Sequence, residues 1–216
     1  TASTKQFASS VEFRKKSIQS LSDSPIEDDL QVDSAHKFVL TPSRKAIAKQ
    51  INDMLVLRTL CVTTPDVNLL GCMGGIILEG EPGVGKSELV LTLLRANNFE
   101  EQDCTDLTKT TTIEHPFYRM PVSFSLAQKE ALLIKAFHEG AVVIIDEINS
   151  SPMMEALLND LLMGKAPGNI APQKPGFLVI GTQNPITLAG RRNSSSALSR
   201  RLLHIDIPLY SREEMM

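Results

Sequence analysis

From about His36 onward, apolar and polar positions fall into short blocks whose period switches between helical and extended. Ile47, Ile51, Met54, Leu55 and Leu57 recur at helical spacing behind Thr41-Pro42, an N-cap followed by proline in the first turn, which predicts a helix over about 42–60. Gly74–Leu78 is a short apolar run ending at Gly80, and Ser87–Arg95 resumes a helical pattern through Leu89, Val90, Leu93 and Leu94. That is strand, glycine-rich turn, helix. Residues 97–121 are polar and threonine-rich and read as an irregular segment or a short strand. Ser125–Gly140 is helical by its Leu126, Ala131, Leu132, Leu133, Ala136 and Phe137 spacing and closes on Gly140, a natural C-cap. Ala141–Ile145 is a run of apolar, mostly β-branched residues, the pattern of a strand covered on both faces. Ser151-Pro152 opens a helix ending at Gly164, Phe177–Ile180 is a third buried strand, and Leu202–Ile207 is a fourth. Strands alternating with helices predict an α/β fold of three layers, α/β/α, around a mostly parallel sheet.

Residues 1–35 break this regularity: they are polar, with a weak helix and then a linker around Ser22–Asp33, so the domain is placed at 36–210. Across all 216 residues, 42% hydrophobic and 22% charged content describes an ordinary globular chain. A net charge of −3 gives no global reason to expect nucleic acid or an anionic membrane as partner. No apolar run approaches the roughly 20 residues of a bilayer span. Cys61, Cys72 and Cys104 match no disulfide framework and read as reduced core thiols, and His36, His115, His138 and His204 are scattered without metal-ligand spacing. A cytoplasmic setting is expected, with export to another cell's cytosol left open. A start at Thr1 without a signal segment reads as a piece of something longer.

The chemistry sits in the glycine-rich turn. Gly80-Glu81-Pro82-Gly83-Val84-Gly85-Lys86-Ser87 matches GxxxxGK[ST] at every fixed position. Glycines allow backbone conformations that turn successive N–H groups toward an anion, and the following helix adds its positive end. Phosphate is the natural occupant, with Lys86 reaching the β- and γ-phosphates and the Ser87 hydroxyl offered to Mg²⁺. Asp146 and Glu147 follow the buried strand about sixty residues later, where the strand ends of an open parallel sheet bind ligands. Asp146 can hold Mg²⁺, mostly through water, and Glu147 can act as the base on an attacking water.

Leu132–Asn149, reading LLIKAFHEGAVVIIDEIN, resembles the AAA+ ATPases of the MoxR and dynein/midasin-related branch. Gly181-Thr182-Gln183-Asn184-Pro185 is similar to that branch's sensor strand, and Ser196–Leu202 to its arginine-finger segment. The resemblance covers about 76–208 and implies an ATP- and Mg²⁺-dependent ATPase. It implies that Asn184 is the sensor of water or γ-phosphate, and that Arg201, or Arg200 on a shift of one, is the finger reaching a neighbour's ATP. It further implies a homo-oligomeric ring, six by family, that remodels a macromolecular partner; residues 211–216 would be the start of a truncated helical lid. Arg191-Arg192 reads as plain surface charge. Two rival readings remain: a nucleotide-gated scaffold with little turnover, which would have no use for a base at Glu147, and a GTP-using relative or small-molecule kinase on the same fold, although no Asn-Lys-x-Asp signature occurs and Asp146-Glu147 with Asn184 favours hydrolysis by water.

Overall fold

The computed structural model describes residues 40–63, 72–148, 152–185, 198 and 200–214. The expected N-terminal extension, the Arg191-Arg192 pair and most of Ser196–Ser199 therefore lie outside the described residues. Among the described residues four helices, α1 (Pro42–Thr63), α2 (Lys86–Ala96), α3 (Leu126–Glu139) and α4 (Pro152–Leu162), are interspersed with six strands. These are β1 (Cys72–Glu79), β2 (Glu100–Glu101), β3 (Pro116–Arg119), β4 (Val142–Asp146), β5 (Phe177–Gln183) and β6 (Leu202–Asp206).

The strands form one sheet in the order β2-β3-β4-β5-β1-β6, and every pairing is parallel. Parallel neighbours cannot be joined by a tight hairpin, so the chain crosses over between them. Val143, Ile145, Ile77, Phe177 and Val179 pack with α3 and α4 residues such as Leu132, Phe137, Leu158 and Leu161. Side chains alternate along a strand, so the equally buried Ile76, Leu78, Ile144, Leu178 and Ile180 belong to the opposite face. On that side α2 packs on α1 and on β5, giving the expected three layers.

Capping fixes the helix ahead of β4. Ser125 accepts from the Gln128 amide while Gln128 Oε1 accepts from the Ser125 amide, a reciprocal capping box. Gly140 ends α3 at φ 64°, a left-handed turn that redirects the chain into β4, and a Cβ there would meet the Pro175 carbonyl at 2.1 Å.

Of the two readings left open for residues 97–121, the strand one holds: they supply β2 and β3, and Phe117 and Tyr118 are buried. Two differences from the sequence reading have physical causes. β5 runs past Ile180 to Gln183 because Thr182 and Gln183 find polar partners inside the fold. α1 continues to Thr63, with Cys61 prolonging its buried face.

That buried face also carries two arginines, each 1% exposed. Arg58 donates to the Gly176 and Gly140 carbonyls at 2.9 and 2.5 Å and lies 4.9 Å from the centroid of the Phe99 ring. Burial pushes its guanidinium down to about 10, so it stays charged at neutral pH. Arg44 donates to the Pro208 carbonyl at 2.7 Å and sits 4.2 Å from the Tyr210 ring centroid. The arginines thus tie α1 to the chain entering β4 and β5 and to the chain leaving β6.

Candidate functional site

Because the strands run in one direction, the C-terminal residues of β1, β3, β4 and β5 share one edge of the sheet: Glu79, Arg119, Asp146 and Gln183. The glycine-rich loop springs from the first of them. Gly85 caps α2 at φ 80°, ψ 24°, left-handed geometry that costs an L-residue on the order of 1–2 kcal/mol. α2 then starts at Lys86, so its first amides and positive dipole end border the loop.

Lys86 is buried, and its Nζ donates to the Gly80 and Glu81 carbonyls at 2.7 and 2.9 Å and to Asn184 Oδ1 at 3.0 Å. The lysine is held over the loop, and Asn184, just past β5, is drawn to it. On the other side Ser87 Oγ donates to Asp146 Oδ1 at 2.8 Å. The same oxygen accepts from Thr182 Oγ1 at 2.9 Å, and Asp146 and Thr182 are register partners across β4 and β5. Asp146 Oδ2 faces the Arg119 guanidinium at 3.6 Å. Glu147 follows, exposed, at φ 56°, a left-handed conformation uncommon outside glycine and found disproportionately at functional positions.

The residues singled out from sequence at Gly80–Ser87, Asp146, Glu147 and Asn184 therefore sit at one sheet edge. Arg201 does not join them within the chain: its Nη1 donates to Asn159 Oδ1 at 2.9 Å and its Nη2 lies 3.2 Å from Met163 Sδ, both at the end of α4. Arg200 is exposed. Of the cysteines, Cys61 is buried as expected, whereas Cys104 is only half-buried, with its thiol on the Arg119 carbonyl. The Cys72 side chain lies outside the description.

Three participants were not singled out in the sequence. Thr182 and Gln183 follow an apolar run and carry polar groups into a buried strand end, where Gln183 Nε2 donates to Glu79 Oε2 at 2.5 Å. Arg119 ends β3, inside the stretch read as an irregular segment or a short strand. Beside Asp146 it borders an open cleft of about 590 Å³ whose other walls include Asp103, Cys104, Val122 and Phe124. The lining of this cleft includes Asp146 but no residue of the glycine-rich loop.

The chain is similar to known proteins. The AAA domain of the dynein-related subfamily matches residues 75–202, from within β1 to the start of β6. Midasin of Giardia intestinalis is 31% identical over 199 residues, which cover 84% of this chain and 4% of that protein. Midasin of Dictyostelium discoideum is 29% identical over 199 residues, covering 83% of this chain and 3% of its own length. The chain thus spans a small fraction of these curated relatives. Among the described residues no helix is long and apolar enough to cross a membrane.

Proposed function

The chain belongs to the dynein-related subfamily of AAA domains, and on that premise we propose that it binds Mg·ATP at Gly80–Ser87 and hydrolyses it. The observation that supports this best is the convergence at strand ends of a lysine over the loop, a hydroxyl on a carboxylate, and an amide on the lysine. Phosphate oxygens would replace the Gly80 and Glu81 carbonyls as acceptors for Lys86, while the loop amides and the α2 dipole hold the remaining charge. Ser87 and Asp146 are a pair of hard oxygen donors that fits Mg²⁺, which when bound would neutralise phosphate charge. Thr182 keeps the Asp146 carboxylate aimed at that position. Glu147, exposed beyond the strand end, takes the proton of the attacking water. Asn184 can donate to a γ-phosphate or a water once Lys86 turns to the nucleotide.

Arg201 acts in this proposal on a neighbour's γ-phosphate, because a guanidinium forks onto phosphate oxygens. The neighbour is a copy of this domain in a ring or another domain of one long chain; relatives of which this chain spans 4% and 3% have room for the second arrangement. The work of hydrolysis would be remodelling of a macromolecular partner, in a cytoplasmic setting.

Two variants test the reading. Lys86→Ala should abolish Mg·ATP binding by calorimetry, and Glu147→Gln should bind ATP yet not turn it over. Wild-type affinity in the first removes the phosphate-loop assignment; wild-type turnover in the second removes Glu147 as the base.

A further inference from the structure

Asp146 is not held symmetrically. Its Oδ1 accepts two hydroxyl hydrogen bonds, from Ser87 at 2.8 Å and Thr182 at 2.9 Å. Its Oδ2 has the Arg119 guanidinium at 3.6 Å, a charge contact beyond ordinary hydrogen-bond length. The hydroxyls set the direction of the carboxylate. The arginine neutralises it, and does so from a half-exposed position that leaves it room to move. A divalent cation coming to Asp146 would meet a positive group already there, and two cations at one carboxylate oppose each other.

The cleft supplies a second place for that positive group. Arg119 lines it together with two further carboxylates, Glu101 and Asp103. The Thr105 hydroxyl and amide both donate to Asp103, which holds its carboxyl below the usual range and keeps it charged. The segment carrying Asp103 is tied to β3, since the Cys104 thiol donates to the Arg119 carbonyl at 3.4 Å. Acceptor and arginine therefore belong to one local unit.

We propose that Arg119 is an exchangeable counter-ion of the metal position: it pairs with Asp146 when no divalent cation is bound and turns toward Glu101 and Asp103 when one is. The inference rests on the Mg·ATP reading of the site. It makes Arg119 a positioning residue that tunes how readily the nucleotide site accepts its metal, and makes the cleft the place where that tuning is set.

The test measures metal binding directly, as Mn²⁺ titrated by electron paramagnetic resonance in the presence of a non-hydrolysable ATP analogue. Removing a partly exposed ion pair shifts an equilibrium by about two- to fivefold. Arg119→Gln should therefore tighten Mn²⁺ by about threefold, and Arg119→Lys, which keeps the charge, should return it toward wild type. Glu101→Gln with Asp103→Asn removes the second resting place and should weaken Mn²⁺ by about twofold in the wild-type background and less in the Arg119→Gln background. Equal effects of the acidic pair in both backgrounds would overturn the proposal, because they would then act on the metal without the arginine. Unchanged or weaker Mn²⁺ binding in Arg119→Gln would overturn it too, as would loss of analogue affinity in that variant with chelator present, which would place Arg119 on the nucleotide. Failure of the wild-type protein to bind Mn²⁺ with the analogue would instead remove the metal-site reading beneath it. A matched thermal midpoint certifies each variant as folded, and if Arg119→Gln does not fold, Arg119→Met, which also removes the charge, takes its place in the same comparison.

Discussion

Thr182→Val is the sharpest probe of the site, because it deletes one hydroxyl and almost nothing else. Thr182 is 4% exposed on a strand flanked by β4 and β1, and valine keeps the branched shape that a buried strand accommodates. What disappears is the 2.9 Å hydrogen bond to Asp146 Oδ1. Hydrogen bonds to charged groups contribute about 1.5–3 kcal/mol. The Ser87 hydroxyl donates to the same oxygen, so the carboxylate is not left bare and the lower end applies. About 1.5 kcal/mol is roughly a tenfold effect, expected in metal affinity and in turnover, both of which depend on where Asp146 points. Nucleotide affinity measured in chelator should not move. Thr182→Ser, which retains the hydroxyl, should stay close to wild type. The assay is a steady-state ATPase measurement beside an Mn²⁺ titration, with a melting curve for each variant. Turnover and metal affinity within twofold of wild type in Thr182→Val would refute the argument; an equal loss of nucleotide affinity in chelator would show that Thr182 acts on the nucleotide and not through Asp146.

Other consequences are as concrete. Arg58→Met strips two buried carbonyls of their donor, at about 1–3 kcal/mol each; with about 2–4 °C per kcal/mol the melting point should fall by about 4–24 °C. Nucleotide affinity should hold, since Gly140 and Gly176 lie at the strand ends opposite the site, and a fall below about 2 °C would refute the role given to Arg58. Glu214 accepts from the Ser43 and Ser211 amides, which pull its carboxyl from 4.5 down to about 2. A depressed folded pKa stabilises above the unfolded value and is lost as pH falls through the folded one, so the melting-point gap between wild type and Glu214→Gln should be steady above pH ~5 and narrow toward pH ~2. A gap independent of pH would contradict it. For Arg201, mixing Arg201→Ala with Lys86→Ala protein should restore part of the lost turnover where mixed assemblies sediment together; no restoration there would argue against action in trans.

The phosphate loop was legible because its chemistry is local: eight consecutive residues set turn, helix start and charge together. The end of β4 was legible because a strand buried on both faces reads as an unbroken apolar run. Asn184 was placed by its likeness to a sensor strand, and the structure brings it to Lys86. What escaped depended on register or on brevity. No pattern in the sequence says that Thr182 faces Asp146; that follows from β4 and β5 pairing with Asp146 opposite Thr182. β3 is four residues long and starts at a proline, too short for alternation to show, so Arg119 could not be recognised as a strand end. Arg44 and Arg58 fall on the helical stripe with Ile47, Ile51 and Leu55, but a sequence reading sends charge outward by default.

The strand order also dictates when the site can come into being on the ribosome. β1 is made early, yet both of its neighbours, β5 and β6, emerge about a hundred residues later, roughly 5–20 seconds at ordinary elongation rates. Until then Ile76, Ile77 and Leu78 have no sheet to enter, and the nascent chain shows an apolar segment that invites chaperone capture. The loop beyond them is unfinished for the same reason. Gly80 is anchored by its amide to the Gln183 carbonyl, and Glu79 by its carbonyl to the Ile207 amide. A polypeptide released before residue 207 would therefore carry the whole phosphate-binding motif in its sequence and still have no cradle in which to hold a nucleotide.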